Sequence, residues 1–377
     1  MDIAEQLADK LETVRKDTLA NLNMTDPPNM AKGNYYNVYI HHNSDDDYPN
    51  GWAQGQGTDK FGNPFLTFPH WLVPNSMSIY HEGYHVFQYT QNSPGFVYSG
   101  DSQWYTESSA QWYMSTYVPT KTDTYGQAGA IVANPQLTLW HSFNNKAPQD
   151  PNHDEGKQGW MYGVRQYGMH TFLNYLTEVC GVARVHLNSG WSAATNLSPQ
   201  QYLFEKAGND IMRNCFANWA AENTADMQYL TRAQYERSLL DITHYGTWDL
   251  YRPYVWEAVD TGTQGAWVGP PEELRPRGWA YNAMRVNNTM AATYTFEFNG
   301  SQVGSEGAQA FFMTRIVVQS KERSPVYKDL PLVNGLAGSG TIQVAADDFE
   351  VAIVVASVPE MFGGNQNYPY TVKITRS

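Results

Sequence analysis

Pro74-Asn75-Ser76, His81-Glu82-Gly83-Tyr84-His85 and Asn92-Ser93-Pro94-Gly95 follow one another within a single short segment. The first triplet supplies a helix start, with Asn75 or Ser76 as the cap, and the last four residues supply the stop, so the central five sit in a helix of about four turns. Histidines at positions i and i+4 share one face of such a helix, with Cβ atoms about 5 to 6 Å apart. Both can then reach one zinc ion at about 2.1 Å. Glu82 is rotated about 100° from His81 and points past the metal toward a bound water instead of competing as a ligand. The HExxH spacing therefore predicts a metal site with a carboxylate placed as a proton acceptor.

A catalytic zinc takes three protein ligands and leaves the fourth place to water. The run Asp101-Ser102-Gln103-Trp104-Tyr105-Thr106-Glu107-Ser108-Ser109-Ala110-Gln111-Trp112 offers the third. Asp101 is expected to cap a second helix after Gly100, which places Glu107 in its second turn. The small Ala110, three residues later, allows close approach to the first helix. His81, His85 and Glu107 are the expected metal ligands, and Glu82 the expected general base.

An HExxH helix followed by a helical W-x-x-E-x-x-A-x-[WY] resembles the gluzincin clan of zinc metallopeptidases. Trp104, Glu107, Ala110 and Trp112 or Tyr113 match the second motif, with Glu107 standing 22 positions after His85. Ser108 departs from it, since many members have Gly there. The resemblance covers about residues 75–115 and implies a zincin-like hydrolase that cleaves peptide bonds with zinc as cofactor. Further on, Tyr162-Gly163, Tyr167-Gly168, Phe172-Leu173-Asn174-Tyr175-Leu176 and Cys180-Gly181 look like the helix downstream of the third ligand in collagenase-like gluzincins. A Tyr or His of that region hydrogen-bonds the tetrahedral oxyanion in those enzymes. Helix geometry places Met161, Val164, Gly168, Phe172, Tyr175 and Val179 on a buried stripe, with Tyr167 and His170 together on its flank. Tyr167 is the first expectation for the oxyanion donor, with His170 and Tyr162 behind it. The chain is also similar to an uncharacterised bacterial and fungal group with an HExxHxxQ helix, here ending at Gln88, and a terminal β-sandwich. That likeness rests on His81 to Gln88, on Arg277-Gly278-Trp279 and on the run to Pro359.

Outside these motifs, Ile3, Leu7, Leu11 and Val14 recur at helical spacing and predict an opening helix over residues 2–22. Tyr35 to His41 alternates as a strand. Asp45-Asp46-Asp47, Pro49-Asn50-Gly51 and the Gly-rich segment to Gly62 read as a loop, with the three aspartates as solvated turn residues. Helices are then expected to about residue 240. Past Pro270-Pro271 come short β-rich runs: Thr293 to Phe298, Phe311 to Gln319, Thr341 to Ala345, Phe349 to Ser357 and Tyr370 to Ile374. They predict a β-sandwich of roughly 90 residues. The fold class expected is α+β, a mainly helical zincin-like domain over 1–275 followed by a small all-β sandwich over 280–377. The join falls in Gly269 to Gly278, where prolines and glycines interrupt periodicity. Phe311-Phe312-Met313 and Val351 to Val355 read as core rather than as a binding face.

With 24 Lys and Arg against 37 Asp and Glu, the net charge of the 377 residues is −13. No basic run occurs, which argues against nucleic acid and against an anionic membrane surface. Only 16% of residues are charged while Tyr (26) and Trp (12) are abundant, a profile that suits a secreted protein. Residues 1–20 do not form a signal sequence, so secretion implies a signal already absent from this chain. Cys180 and Cys215 either pair between helices or fill the core, and lack the spacing of a thiolate zinc site. His41, His42, His70, His141, His153, His186 and His244 lack ligand spacing. Three functions fit: a secreted zinc metallopeptidase acting on protein or peptide; a metal-dependent carbohydrate-active enzyme, lyase or glycosidase, acting on a glycan; and a non-catalytic glycan- or surface-binding protein with a structural metal. Oligomeric state does not follow from the sequence.

Overall fold

A computed structural model of the chain describes residues 3–41, 53–70, 77–118, 127–142, 164–225, 227–231, 233–236, 255–258 and 265–377. The expected Asn75 or Ser76 cap, the aspartates 45–47 and Tyr162 lie outside these residues. The chain forms two compact units, Met1–Thr124 with Gly181–Ala207, and Tyr125–Cys180 with Gly208–Ser377. Packing thus groups the chain differently from a linear cut at 275–280. Helices and antiparallel sheets together make the α+β class.

In the first unit, α1 (Ile3–Asn21) buries Leu7, Leu11 and Val14, the stripe that the spacing predicts. The strand β1 (Asn37–His41) pairs in parallel with β3 (Pro64–Pro69), and β2 (Gln54–Thr58) pairs antiparallel with β3, giving the order β1-β3-β2. The Gly-rich segment expected as a loop is therefore in part a strand. Gln-Gly-Gln-Gly-Thr carries no apolar alternation, so its strand character was invisible to a hydrophobic pattern. A register shift between Gly55 and Thr58, with Gly57 at φ 71°, bends it. The helix α2 (Ser78–Thr90) carries the HExxH residues and packs on α1, β2, β3 and the next helix, α3 (Gln103–Tyr117). On its α1 side sits Gly83, where a Cβ would stand 3.1 Å from Leu11 Cδ2 and 3.4 Å from Val14 Cγ2. Leu7, Leu11, Leu66, Phe68, Ile79 and Val86 close the core between α1, β3 and α2.

Asp101 does not cap α3. It lies in a 3-10 turn, Gly100–Ser102, and the helix opens after Ser102, whose Oγ donates instead to Gly95 O at 2.7 Å. Residues 103–115 of α3 are all buried, so this helix is a central element rather than an amphipathic one. The segment returning at 181–207, with helices Arg184–Asn188 and Pro199–Ala207, explains how: Gln200 accepts from Trp104 Nε1 at 3.1 Å and Leu187 O from Tyr105 OH at 2.5 Å. Trp104 of the W-x-x-E motif is thus an anchor for the helix that bears Glu107.

In the second unit, nine further strands among the described residues form two sheets. The first comprises β10 (Ala337–Val344), β7 (Ala292–Gly300), β12 (Tyr370–Arg376) and β5 (Trp267–Val268), in that order. The second runs β4 (Val255–Ala258), β6 (Ala280–Val286), β11 (Asp348–Ser357), β8 (Phe312–Ser320) and β9 (Val326–Leu330), antiparallel except for β4 with β6. All five β-runs read from the sequence are strands. Val351, Ile353 and Val355 enter a core shared with Phe296, Phe298 and Phe312, while Ala352, Val354 and Ala356 are equally buried. The helix Asn209–Thr224 packs on β8 and β11, which is why β11 is apolar on both faces. Cys180 and Cys215 form a disulfide that joins this helix to a π-helical turn, Tyr175–Val179. Among the described residues no helix is long and apolar enough to cross a membrane.

Candidate metal centre

The i, i+4 spacing on α2 brings the imidazoles of His81 and His85 into edge contact, ring centroids 4.6 Å apart. Glu107, in the second turn of α3, meets both. Nε2 of His81 and Nε2 of His85 are 2.9 Å apart, and Glu107 Oε2 lies 3.2 Å from the first and 3.3 Å from the second. All three side chains are buried, at 7%, 4% and 6% exposure. A tetrahedral zinc with ligand bonds of about 2.1 Å has ligand-to-ligand edges of about 3.4 Å. The donor triangle nearly matches one face of that tetrahedron. Two imidazole nitrogens and a carboxylate oxygen converging on one buried point favour a cation there, and these residues fit the metal that the motif implies.

The electrostatics agree. Burial works against a proton on His85, but the Glu107 carboxylate, helped by Glu82 and by a hydrogen bond to Gln88, outweighs it and pushes the imidazole up to about 9. Burial alone would raise Glu107. The His85 and His81 imidazoles reverse that and hold its carboxyl well below the usual carboxylate range. The cradle is organised around a positive charge.

Two further residues fix the site, and neither was assigned a role from sequence. Gln88 donates from Nε2 to Thr106 O at 3.1 Å and to Ser109 Oγ at 2.8 Å, which turns its Oε1 toward His85 Nδ1 at 2.6 Å. His85 Nδ1 then carries the proton and Nε2 offers its lone pair to the metal. Glu82 stays outside the donor triangle, and its Oε2 accepts the Gly55 backbone N–H at 2.6 Å. A Cβ on Gly55 would stand 2.5 Å from Glu82 O and 2.6 Å from His85 Cβ, so only glycine lets β2 lie this close to α2. Tyr89, one turn beyond His85, stacks on its ring with centroids 5.5 Å apart.

Tyr167 and His170 are not in the unit that holds the triad. His170 is completely buried instead of flanking a stripe, with Nδ1 2.9 Å from Tyr167 O of the preceding turn; Tyr167 is half-buried. Val164, Gly168, Phe172 and Tyr175 are buried as expected, but Val179 is 53% exposed. The π-helical turn over Tyr175–Val179 explains the slip, because it advances the chain by more residues per turn than the α-helix that the stripe assumed.

No protein-family model matches the chain, and no curated protein matches it. Among solved structures, the pre-peptidase C-terminal domain of collagenase from Bacillus anthracis is similar over 31% of this chain and 95% of its own, at 13% identity and a TM-score of 0.20. A periplasmic inhibitor of g-type lysozyme from Aeromonas hydrophila covers 32% of this chain and 99% of its own, at 11% identity and a TM-score of 0.20. A family GH115 4-O-methyl-α-glucuronidase with specificity for decorated arabinogalactans covers 69% and 39%, at 9% identity and a TM-score of 0.17. Similarity this low carries no argument about fold or activity.

Proposed function

We propose that the protein is a zinc-dependent hydrolase of the gluzincin type, acting on peptide bonds outside the cell. The observation that carries this reading is the triangle of His81, His85 and Glu107 with Glu82 beside it, outside the donor set and tied to a backbone N–H. Three donors, the number found among the described residues, suit a catalytic site better than a closed structural one, which takes four. His81, His85 and Glu107 would hold a zinc ion, which would supply Lewis acidity toward a carbonyl oxygen and a more acidic water. Glu82 takes the proton of the attacking water and passes it to the leaving amine, while Gln88 keeps His85 in the tautomer that can ligate. The Cys180–Cys215 disulfide is compatible with an oxidising compartment and so supports secretion.

Metal analysis by mass spectrometry together with peptide hydrolysis tests the reading. Wild type is expected to hold one zinc per chain and Glu107→Ala to lose it, while Glu82→Gln keeps the metal and loses roughly 10²- to 10⁴-fold in turnover. Full turnover in Glu82→Gln would remove it as general base. Absence of bound metal from the wild type would turn the protein toward a binding role.

A further inference from the structure

After α2 the first unit holds a cavity of about 310 Å³ whose walls include Tyr89, Gln91, Asn92, Phe96, Tyr98 and Trp191. None of the metal ligands lines it, so its occupant has to be read from its own walls. These combine aromatic rings with neutral amide and hydroxyl side chains, and no charged residue is among them. We propose that the cavity binds one neutral sugar ring, independently of the metal centre.

A pyranose has a face of C–H groups and a rim of hydroxyls, each hydroxyl both donor and acceptor. The walls match both parts. Tyr89 and Tyr98 are 40% and 42% exposed, so aromatic surface is open for the C–H face to cover. Asn92 is exposed, and among the described residues no hydrogen bond occupies its amide or the Tyr89 hydroxyl. An amide and a phenol each donate and accept, which is what the rim of a sugar requires. An apolar side chain would cover the rings but leave these two groups desolvated and unpaired. An anionic ligand would find no cation in the wall and a net charge of −13 on the chain. The volume lies at the small end of the range for ligand pockets, roughly 300 to 1,000 Å³, which suits one ring rather than a run of them.

The other polar side chains hold the wall in place. Gln91 Nε2 donates to Thr25 O at 2.9 Å, while its Oε1 accepts from Thr25 N at 3.1 Å and from Ser192 Oγ at 2.5 Å. Ser93 Oγ donates to Gly190 O at 2.6 Å, and Gln88 Nε2 donates to Thr106 O and Ser109 Oγ. Behind them Phe96 packs edge-on against Trp191 at 5.1 Å, and a Cβ on Gly95 would stand 1.9 Å from Leu197 O. The loop after α2 is thereby held against the 190–197 segment, and a wall held this way loses little freedom when a ligand enters.

Saturation-transfer NMR on the full chain reads the cavity directly, with methyl β-glucoside, methyl β-galactoside and N-acetylglucosamine as probes. Glucuronic acid and N-acetyl-phenylalaninamide serve as the anionic and the aromatic comparators. At least one of the three neutral sugars is expected to bind, and to bind more tightly than either comparator. Tyr98→Ala removes an exposed ring and Asn92→Ala an exposed amide, so both variants are expected to fold, and each to weaken the sugar about fivefold. Treatment with a chelator is expected to leave sugar binding unchanged, which keeps this result apart from the fate of the hydrolase reading. Binding that vanishes with the metal would put the sugar at the metal centre and overturn the site. The site is equally overturned if none of the three sugars binds, if N-acetyl-phenylalaninamide binds more tightly, or if both variants bind sugar as the wild type does.

Discussion

Gln88 has its amide nitrogen committed to Thr106 O and Ser109 Oγ, so its oxygen can only face His85 Nδ1. Gln88→Ala removes that acceptor while leaving all three ligands in place. Zinc affinity, measured by competition with a chelator, is expected to fall about 10- to 100-fold, the usual effect of losing such a partner. Unchanged affinity in a folded variant would mean that packing alone orients the imidazole. The spacing of the motif made His81, Glu82 and His85 readable, because one helical turn is a fixed length, and Glu107 was readable as the acid in a second helical pattern. Gln88 was readable in principle, three residues past His85 on the same face. Gly55 was not, since its role comes from lacking a side chain on a strand that no apolar alternation announces. Val179 leaves the apolar stripe that an α-helical period predicts because the chain turns π-helical after Asn174.

At the scale of elements, β2 and α2 touch through Gly55, where a Cβ would meet backbone rather than a movable side-chain end. Gly55→Ala is expected to push the strand off the helix, destabilising the protein by about 1 to 3 kcal/mol in urea unfolding and lowering turnover through the lost N–H to Glu82. Wild-type stability and turnover in this variant would show that β2 shifts without cost. In the second unit the disulfide closes a separation of 35 residues between the π-helical turn and Asn209–Thr224. Cys180→Ser with Cys215→Ser is expected to cost roughly 4 kcal/mol on the chain-entropy account, read as a lower denaturant midpoint with a steeper slope, since the unlinked unfolded chain exposes more surface. An unchanged midpoint would mean that the helix packing on β8 and β11 does the holding. Pairing was one of two open readings of these cysteines, because helical residues far apart in sequence carry no signal of whether they meet. The sandwich strands, by contrast, were legible from short apolar runs between glycines and asparagines, and β11 from its apolar continuity. Missed were β2, β3, β4, β5, β6 and β9: β2 lacks alternation, β5 is two residues long, and β6 opens at the join itself.

For the molecule as a whole, acid sensitivity is set in part by His141, which is 1% exposed and lies near two guanidinium groups, Arg165 and Arg277. Arg165 is itself 2% exposed and gives its N–H groups to carbonyls, at 2.7 Å to Asn134 O and 3.1 Å to Leu137 O. Its charge is thus fixed inside the second unit, and a second charge on His141 would be both desolvated and repelled. Burial first, then Arg165 and Arg277, push the imidazole down from 6.5 to about 3. Between those two values the unfolded chain binds a proton that the folded chain refuses. The contribution to stability is therefore fully present above pH 6.5, falls as the pH drops at up to about 1.4 kcal/mol per unit, and is lost by about pH 3. His141→Gln carries no such proton. Urea unfolding of both proteins between pH 7 and pH 4 should show a steeper acid decline in the wild type, by about one proton per molecule. Carboxylates elsewhere titrate alike in both chains and cancel in the difference. Parallel declines would mean that His141 takes its proton while folded, and that Arg165 and Arg277 do not act on it as their positions imply.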